Sequence, residues 1–200
     1  MKRRTDVSLL CALCCVIAIA LFQPALKAQG QERLLGRAIT GTAYFVGGMR
    51  GGQSRPFTLN ISGLTSPDDV QRLNTALQSG GQDELLRTLS RMDAGRIQLG
   101  TGVGVTANAI ISTQEEGRTK LIVLYQRTLR FSELRYGARS ENYKFGYAEL
   151  YLGGNGNEGM LIPAAQVRLR DGNTWEVEDF GTFPARLIGL QVRGRGRTPR

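Results

Sequence analysis

The chain has 200 residues, three cysteines, no histidine and a formal charge of +9. Without histidine there is no Ser-His-Asp or Cys-His catalysis, no histidine metal site and no imidazole acid–base chemistry. Cys11, Cys14 and Cys15 all fall near the start of the chain, so residues 29–200 carry no disulfide, thiolate metal site or cysteine nucleophile.

Lys2, Arg3 and Arg4 open the chain, and Leu9 to Phe22 comes next as an apolar run that includes the cysteines. Gln23 and Pro24 end the run, and Ala25 and Ala28 offer small residues at its exit. This order is that of a secretory signal peptide. As a helix the run spans about 21 Å, short of a hydrocarbon core of about 30 Å. The expectation is therefore a signal over residues 1–28, cut after Ala28 or else after Ala25, and no transmembrane span once it is removed. The protein is expected to be exported, in the periplasm, the cell envelope or the medium. Much of the positive charge belongs to the two ends, where Arg193, Arg195, Arg197 and Arg200 form a basic tail over residues 193–200.

Residues 29–192 read as one β-rich domain, large enough to fold without disulfide staples. Ala38 to Val46 is rich in threonine, aromatic and branched residues and predicts a strand. Gly47 to Arg55 reads as a glycine loop, and Phe57, Leu59 and Ile61 alternate with polar residues as a half-buried strand does. Ser66-Pro67-Asp68-Asp69 is a helix start: a capping hydroxyl, a proline suited to the first helical position and acids at the positive end. Val70, Leu73 and Leu77 then share a face, Ser79-Gly80-Gly81 predicts a stop, and Leu85, Leu86, Leu89 and Met92 predict a second helix. A hairpin of two short helices is thus expected over about 66–94.

Beyond it the pattern is strands and turns, over 96–99, 103–112, 119–130, 142–152, 160–169, 174–180 and 185–192. Gln114 to Gly117, Gly153 to Asn157 and Asp171 to Asn173 read as hairpin turns. The expected fold is α+β but mainly β: an antiparallel sandwich or partly open barrel with the helical hairpin inserted. Arg193 to Arg200 is expected to be a disordered tail by composition.

The helical segment SPDDVQRLNTALQSGGQDELLRTLSRMDAGRI, the stretch LRFSELRYGARSENYKFGYAELYL, the turn with GNEGML and the ending VEDFGTFPARLIGLQV together resemble an uncharacterised family of exported bacterial proteins, common in acidobacteria-like genomes. The resemblance runs from Phe57 to about Val192. It implies export and a shared fold, and brings no activity and no binding residues.

Several segments invite a chemical reading. Gly100-Thr-Gly-Val-Gly104 has the look of a phosphate loop, but a strand rather than a helix comes after it, so a turn or bulge is expected. Gly153 to Leu161 resembles a single calcium nonapeptide, which alone cannot supply the 6–8 oxygens calcium takes. Glu176 and Glu178 share one face of a strand beside Trp175; paired carboxylates beside an aromatic are how glycosidases work, and alternating glutamates are also what a solvent face shows. Tyr143, Phe145 and Tyr147 alternate along a strand and, with Trp175, could stack a flat ligand or else pack the core. Arg193, Arg195, Arg197 and Arg200 could hold a polyanion or an anionic surface by charge.

Neither a metal nor a cofactor is expected. The leading expectation is a non-enzymatic domain that binds a ligand or partner, such as an envelope protein or polysaccharide. The alternatives are a carboxylate-based hydrolase of polysaccharide using Glu176 and Glu178, and a structural assembly subunit.

Overall fold

The computed structural model describes residues 34–46, 52–127, 142–154, 156–170, 174–179 and 184–194. The chain forms two units, Met1–Leu34 and Leu35–Arg200, and the signal expected over residues 1–28 lies outside the described residues. In chain order the second unit runs β1 (Ala38–Phe45), β2 (Ser54–Ile61), α1 (Pro67–Leu89), β3 (Gly95–Leu99), β4 (Val105–Ala107), β5 (Ala109–Glu115), β6 (Arg118–Gln126), β7 (Phe145–Leu152), β8 (Glu158–Arg170), β9 (Thr174–Asp179) and β10 (Ala185–Arg193). The unit is mainly β, as composition and alternation predict.

The strands form one ten-stranded antiparallel sheet in the order β4-β3-β2-β1-β10-β8-β7-β6-β5, with β9 on β8. This corrects the sandwich alternative: the strands make a single sheet, and among the described residues no ladder closes it into a barrel. Its two ends nevertheless belong to one stretch of chain. β4 and β5 are separated only by Asn108, and β4 lies against β6. The sheet therefore curls until its ends approach, and Asn108 is the corner where the strand leaves β3 and joins β6. Asn108 is buried, accepts from the Gln126 N–H at 2.9 Å and donates to the Met92 carbonyl at 3.0 Å. A buried amide with partners on both sides holds the bend without an orphaned polar group.

The curl gives the sheet two apolar faces. Residues directly opposite in an antiparallel ladder share a face, so Ile110, Val123, Ala148, Leu161 and Ala185 line one side along β5, β6, β7, β8 and β10. Ile39, Leu59 and Ile97 continue that side on β1, β2 and β3. All of these are buried. On the other face Leu124, Phe145, Tyr147, Ile162, Ala165 and Val167 meet Leu73, Leu77, Leu85 and Leu89 of α1. Burying each such leucine contributes about 1.5–3 kcal/mol, which is what keeps a helix of modest intrinsic stability in place.

α1 begins as its sequence predicts. Ser66 Oγ accepts from the Asp69 N–H at 3.1 Å, Pro67 opens the helix and Asp68 and Asp69 occupy the first turn. The predicted stop falls at Gly81 (φ 61°, ψ −148°), where the backbone is not helical, and α1 is two helical stretches joined at that kink. Ser79 and Gly80 stay helical because the leucines on either side of the kink bury in the same cluster, and only Gly81 takes the left-handed φ that favours glycine. Immediately after the kink, the Gln82 amide donates to the Val167 carbonyl and accepts from the Val167 N–H at 3.2 Å. That pairing fixes the second half of α1 to β8.

The turn expected over Gln114 to Gly117 forms, and the one expected over Asp171 to Asn173 lies outside the described residues. β5 and β6 are joined by Glu116 (φ 50°) and Gly117 (φ 74°), the left-handed pair of a two-residue hairpin. Residues 100–104 are the turn between β3 and β4, with no helix behind them, so the phosphate-loop geometry is missing.

Candidate functional site

Glu176 and Glu178 stand on the exposed face of β9, each bound to an arginine of β8. Arg170 reaches Glu176 at 2.6 Å and Arg168 reaches Glu178 at 2.7 Å, and the Tyr143 hydroxyl donates to Glu178 at 3.0 Å. The two carboxylates do share a face, as predicted, and that face is a solvated, ion-paired one.

The aromatic stripe divides. Phe145 and Tyr147 are buried beneath α1 in the core cluster, so they offer no stacking surface; a period of two places them on one face, and α1 covers that face. Trp175 packs partly buried on the same cluster, and its indole N–H donates to Asn74 Oδ1 at 2.6 Å. Only Tyr143 of the four reaches the surface region around Glu178. Of the tail arginines, Arg193 ends β10 and donates to Gln191 at 3.3 Å; Arg195, Arg197 and Arg200 lie outside the described residues. In the nonapeptide-like segment, Asn157 accepts from the Gly153 N–H at 2.8 Å and donates to the Leu190 carbonyl at 3.0 Å. It serves as the hairpin turn between β7 and β8.

A cluster that alternation alone does not reveal spans β5, β6 and β7. Lys120 lies 3.0 Å from Glu115 and 3.5 Å from Glu149. The Tyr147 and Tyr151 hydroxyls donate to the two oxygens of Glu149, the latter at 3.1 Å. Burial opposes the charge on Lys120, but Tyr151, Glu115 and Glu149 outweigh it and hold its pKa above the ordinary lysine value. Burial, then Glu149, pushes the Tyr147 phenol pKa up. Lys120 and Tyr147 are thereby held in their ordinary protonation states, with partners already supplied. The cluster braces three strands.

A cleft of about 760 Å³ lies between α1, the segment leading into it and the turn that leaves it. Its walls mix apolar residues, among them Leu64, Ala76 and Met92, with polar ones: Asp69, Thr75 and Ser79 before the kink, Glu84 and Thr88 after it, and Arg91 and Asp93 beyond the helix end. Two of its carboxylates are committed, Asp69 to Arg72 and Glu84 to Arg87 at 2.6 Å, and Asp93 accepts from the Gly95 N–H at 3.1 Å. The side chains of Gln71, Thr88 and Arg91 make no hydrogen bond or ion pair among the described residues. The cleft thus presents an unspent guanidinium fork among hydroxyl and amide groups. Asp69, Ser79 and Met92 stood out in the sequence only as helix signals and Arg91 not at all, because the cleft's residues come together only through the kink at Gly81 and the turn over residues 90–94.

Searches against protein-family models, characterised proteins and solved structures find no match to this chain. Among the described residues no helix is long and apolar enough to cross a membrane.

Proposed function

We propose that this chain is an exported binding domain that holds an acidic sugar unit of an envelope polysaccharide in the cleft beside α1. The observation that carries the reading is Arg91, whose guanidinium lines the cleft with no protein partner among the described residues. A guanidinium fork matches a carboxylate in two parallel hydrogen bonds. Thr65, Thr75, Ser79, Thr88 and Gln71 supply donors and acceptors of the kind sugar hydroxyls need. The volume falls within the range of about 300–1,000 Å³ common for small-ligand sites. Export rests on the signal-like N-terminus, and the resemblance to an uncharacterised exported family agrees with it.

The test is calorimetric titration with galacturonate oligomers, with neutral glucose oligomers as control. Binding of the acidic oligomer alone, weakened about tenfold or more in Arg91→Gln, is the expected result. Equal binding by Arg91→Gln, or none by the wild-type chain, overturns the proposal. Release of reducing ends that disappears in Glu176→Gln would replace binding with hydrolysis; the arginine pairing of Glu176 and Glu178 gives that alternative no support.

A further inference from the structure

The curl of the sheet forms a second, smaller recess, partly open to solvent, that shares no residue with the cleft. It measures about 220 Å³ and is lined by Phe57, Ile97, Leu99, Val105, Leu161 and Tyr125. These residues come from β2, β3, β4, β8 and β6, which are scattered through the sheet order, so only the curl brings them together. Every one is apolar except for the hydroxyl of Tyr125.

That hydroxyl is placed by the backbone opposite it. Tyr125 pairs with Gly146 across β6 and β7. A Cβ at Gly146 would lie 2.0 Å from Tyr125 Cζ and 2.4 Å from its oxygen. The ring therefore lies flat across the glycine, in a position any larger residue would deny it. A glycine inside a strand commonly marks such a close approach. The hydroxyl makes no hydrogen bond within the described residues, and burial pushes its pKa up, so it is a neutral donor at ordinary pH. No side-chain oxygen among the described residues is both buried and without a partner, so this hydroxyl is reached by solvent; phenylalanine would cover Gly146 equally well. An apolar cavity of about 150 Å³ is enough to take up benzene, and this one is larger and carries one polar group.

We propose that the inside of the curled sheet is a binding site for a small apolar molecule of about single-ring size that bears one oxygen, to which the Tyr125 hydroxyl donates. The apolar walls supply affinity without direction, and the hydroxyl selects the end of the molecule that carries the oxygen.

The probes are 4-ethylphenol and its hydroxyl-free counterpart ethylbenzene, added to the full chain and read by thermal shift and by NMR perturbation of residues on β6 and β8. Both are expected to bind, the phenol about five- to tenfold more tightly, the worth of one hydrogen bond. Tyr125→Phe should keep ethylbenzene binding, lose the preference for the phenol and melt no lower than the wild type. Leu161→Phe, which fills the cavity, should lose both. Absence of binding by the wild-type chain at millimolar probe overturns the proposal. So does a phenol preference that survives in Tyr125→Phe, or unchanged binding in Leu161→Phe. Because the cleft and the cavity have separate walls, Arg91→Gln should leave probe binding intact.

Discussion

Replacing Asn108 by alanine tests whether the corner between β4 and β5 holds the curl. The substitution removes the acceptor of the Gln126 N–H and the donor to the Met92 carbonyl, bonds of 2.9 and 3.0 Å around a buried side chain. Each group left without its partner costs about 1–3 kcal/mol, nearer the lower figure where water can reach it. The expected loss is about 2–4 kcal/mol, which for a domain of this size lowers the melting temperature by roughly 5–12 °C. Urea unfolding followed by circular dichroism measures the first quantity and a thermal scan the second. Asn108→Asp separates the two bonds. It keeps the acceptor for Gln126 but sets a carboxylate against the Met92 carbonyl, so its folded pKa should rise. Stability of that variant is then greatest below the unfolded carboxylate pKa of about 3.9 and is lost as pH rises through the folded value. A loss under about 0.5 kcal/mol in Asn108→Ala would refute the reasoning, since surface substitutions cost that little.

Other contacts set further expectations. Gly146→Ala should destabilise by about 2–3 kcal/mol through overpacking against Tyr125, and pairing it with Tyr125→Ala should recover part of the loss in a double-mutant cycle. Trp175→Phe removes the 2.6 Å bond to buried Asn74 and should cost about 1–3 kcal/mol by urea unfolding; an equal cost in an Asn74→Ala background would show that the bond is not the cause. The Asp83 carboxyl is held below its ordinary pKa by hydrogen bonding to Lys144 and by that residue's charge. Its contribution is therefore present above pH about 4 and lost as pH falls through the folded value. The melting temperatures of wild type and Asp83→Asn should differ slightly at neutral pH and converge in acid.

Much of the strand pattern is legible in the sequence because one face of each strand is buried, and a period of two reports that directly. The cap at Ser66 is legible because its partners lie within one turn. The features that escape a reading of the sequence depend on contacts between distant residues. The span 103–112 looks like one strand, and its break at Asn108 is decided by Gln126 and Met92. The stripe of Phe145 and Tyr147 announces a shared face but not the helix that covers it. Ser79-Gly80-Gly81 signals a stop, and the helical backbone does break at Gly81; what the sequence does not show is that leucines on both sides of the break bury in one cluster. For Tyr125 a signal does exist in Gly146, a lone glycine within an aromatic strand; it lacks only the register that sets the two opposite one another. Arg91 carries no signal, since an unpaired arginine shows itself only when its neighbours are known.

The pairing of β1 with β10 has a consequence for how the chain acquires its structure. These strands come from opposite ends of the folded unit, yet they sit side by side within the sheet order. β1 cannot complete its ladder until residues 185–193 exist, so the central seam closes last during synthesis. Sheets built from contacts so remote in sequence fold slowly. For a chain proposed to cross a membrane before it folds, slow closure is useful: β1 waits for β10, and the polypeptide stays threadable until nearly all of it has emerged.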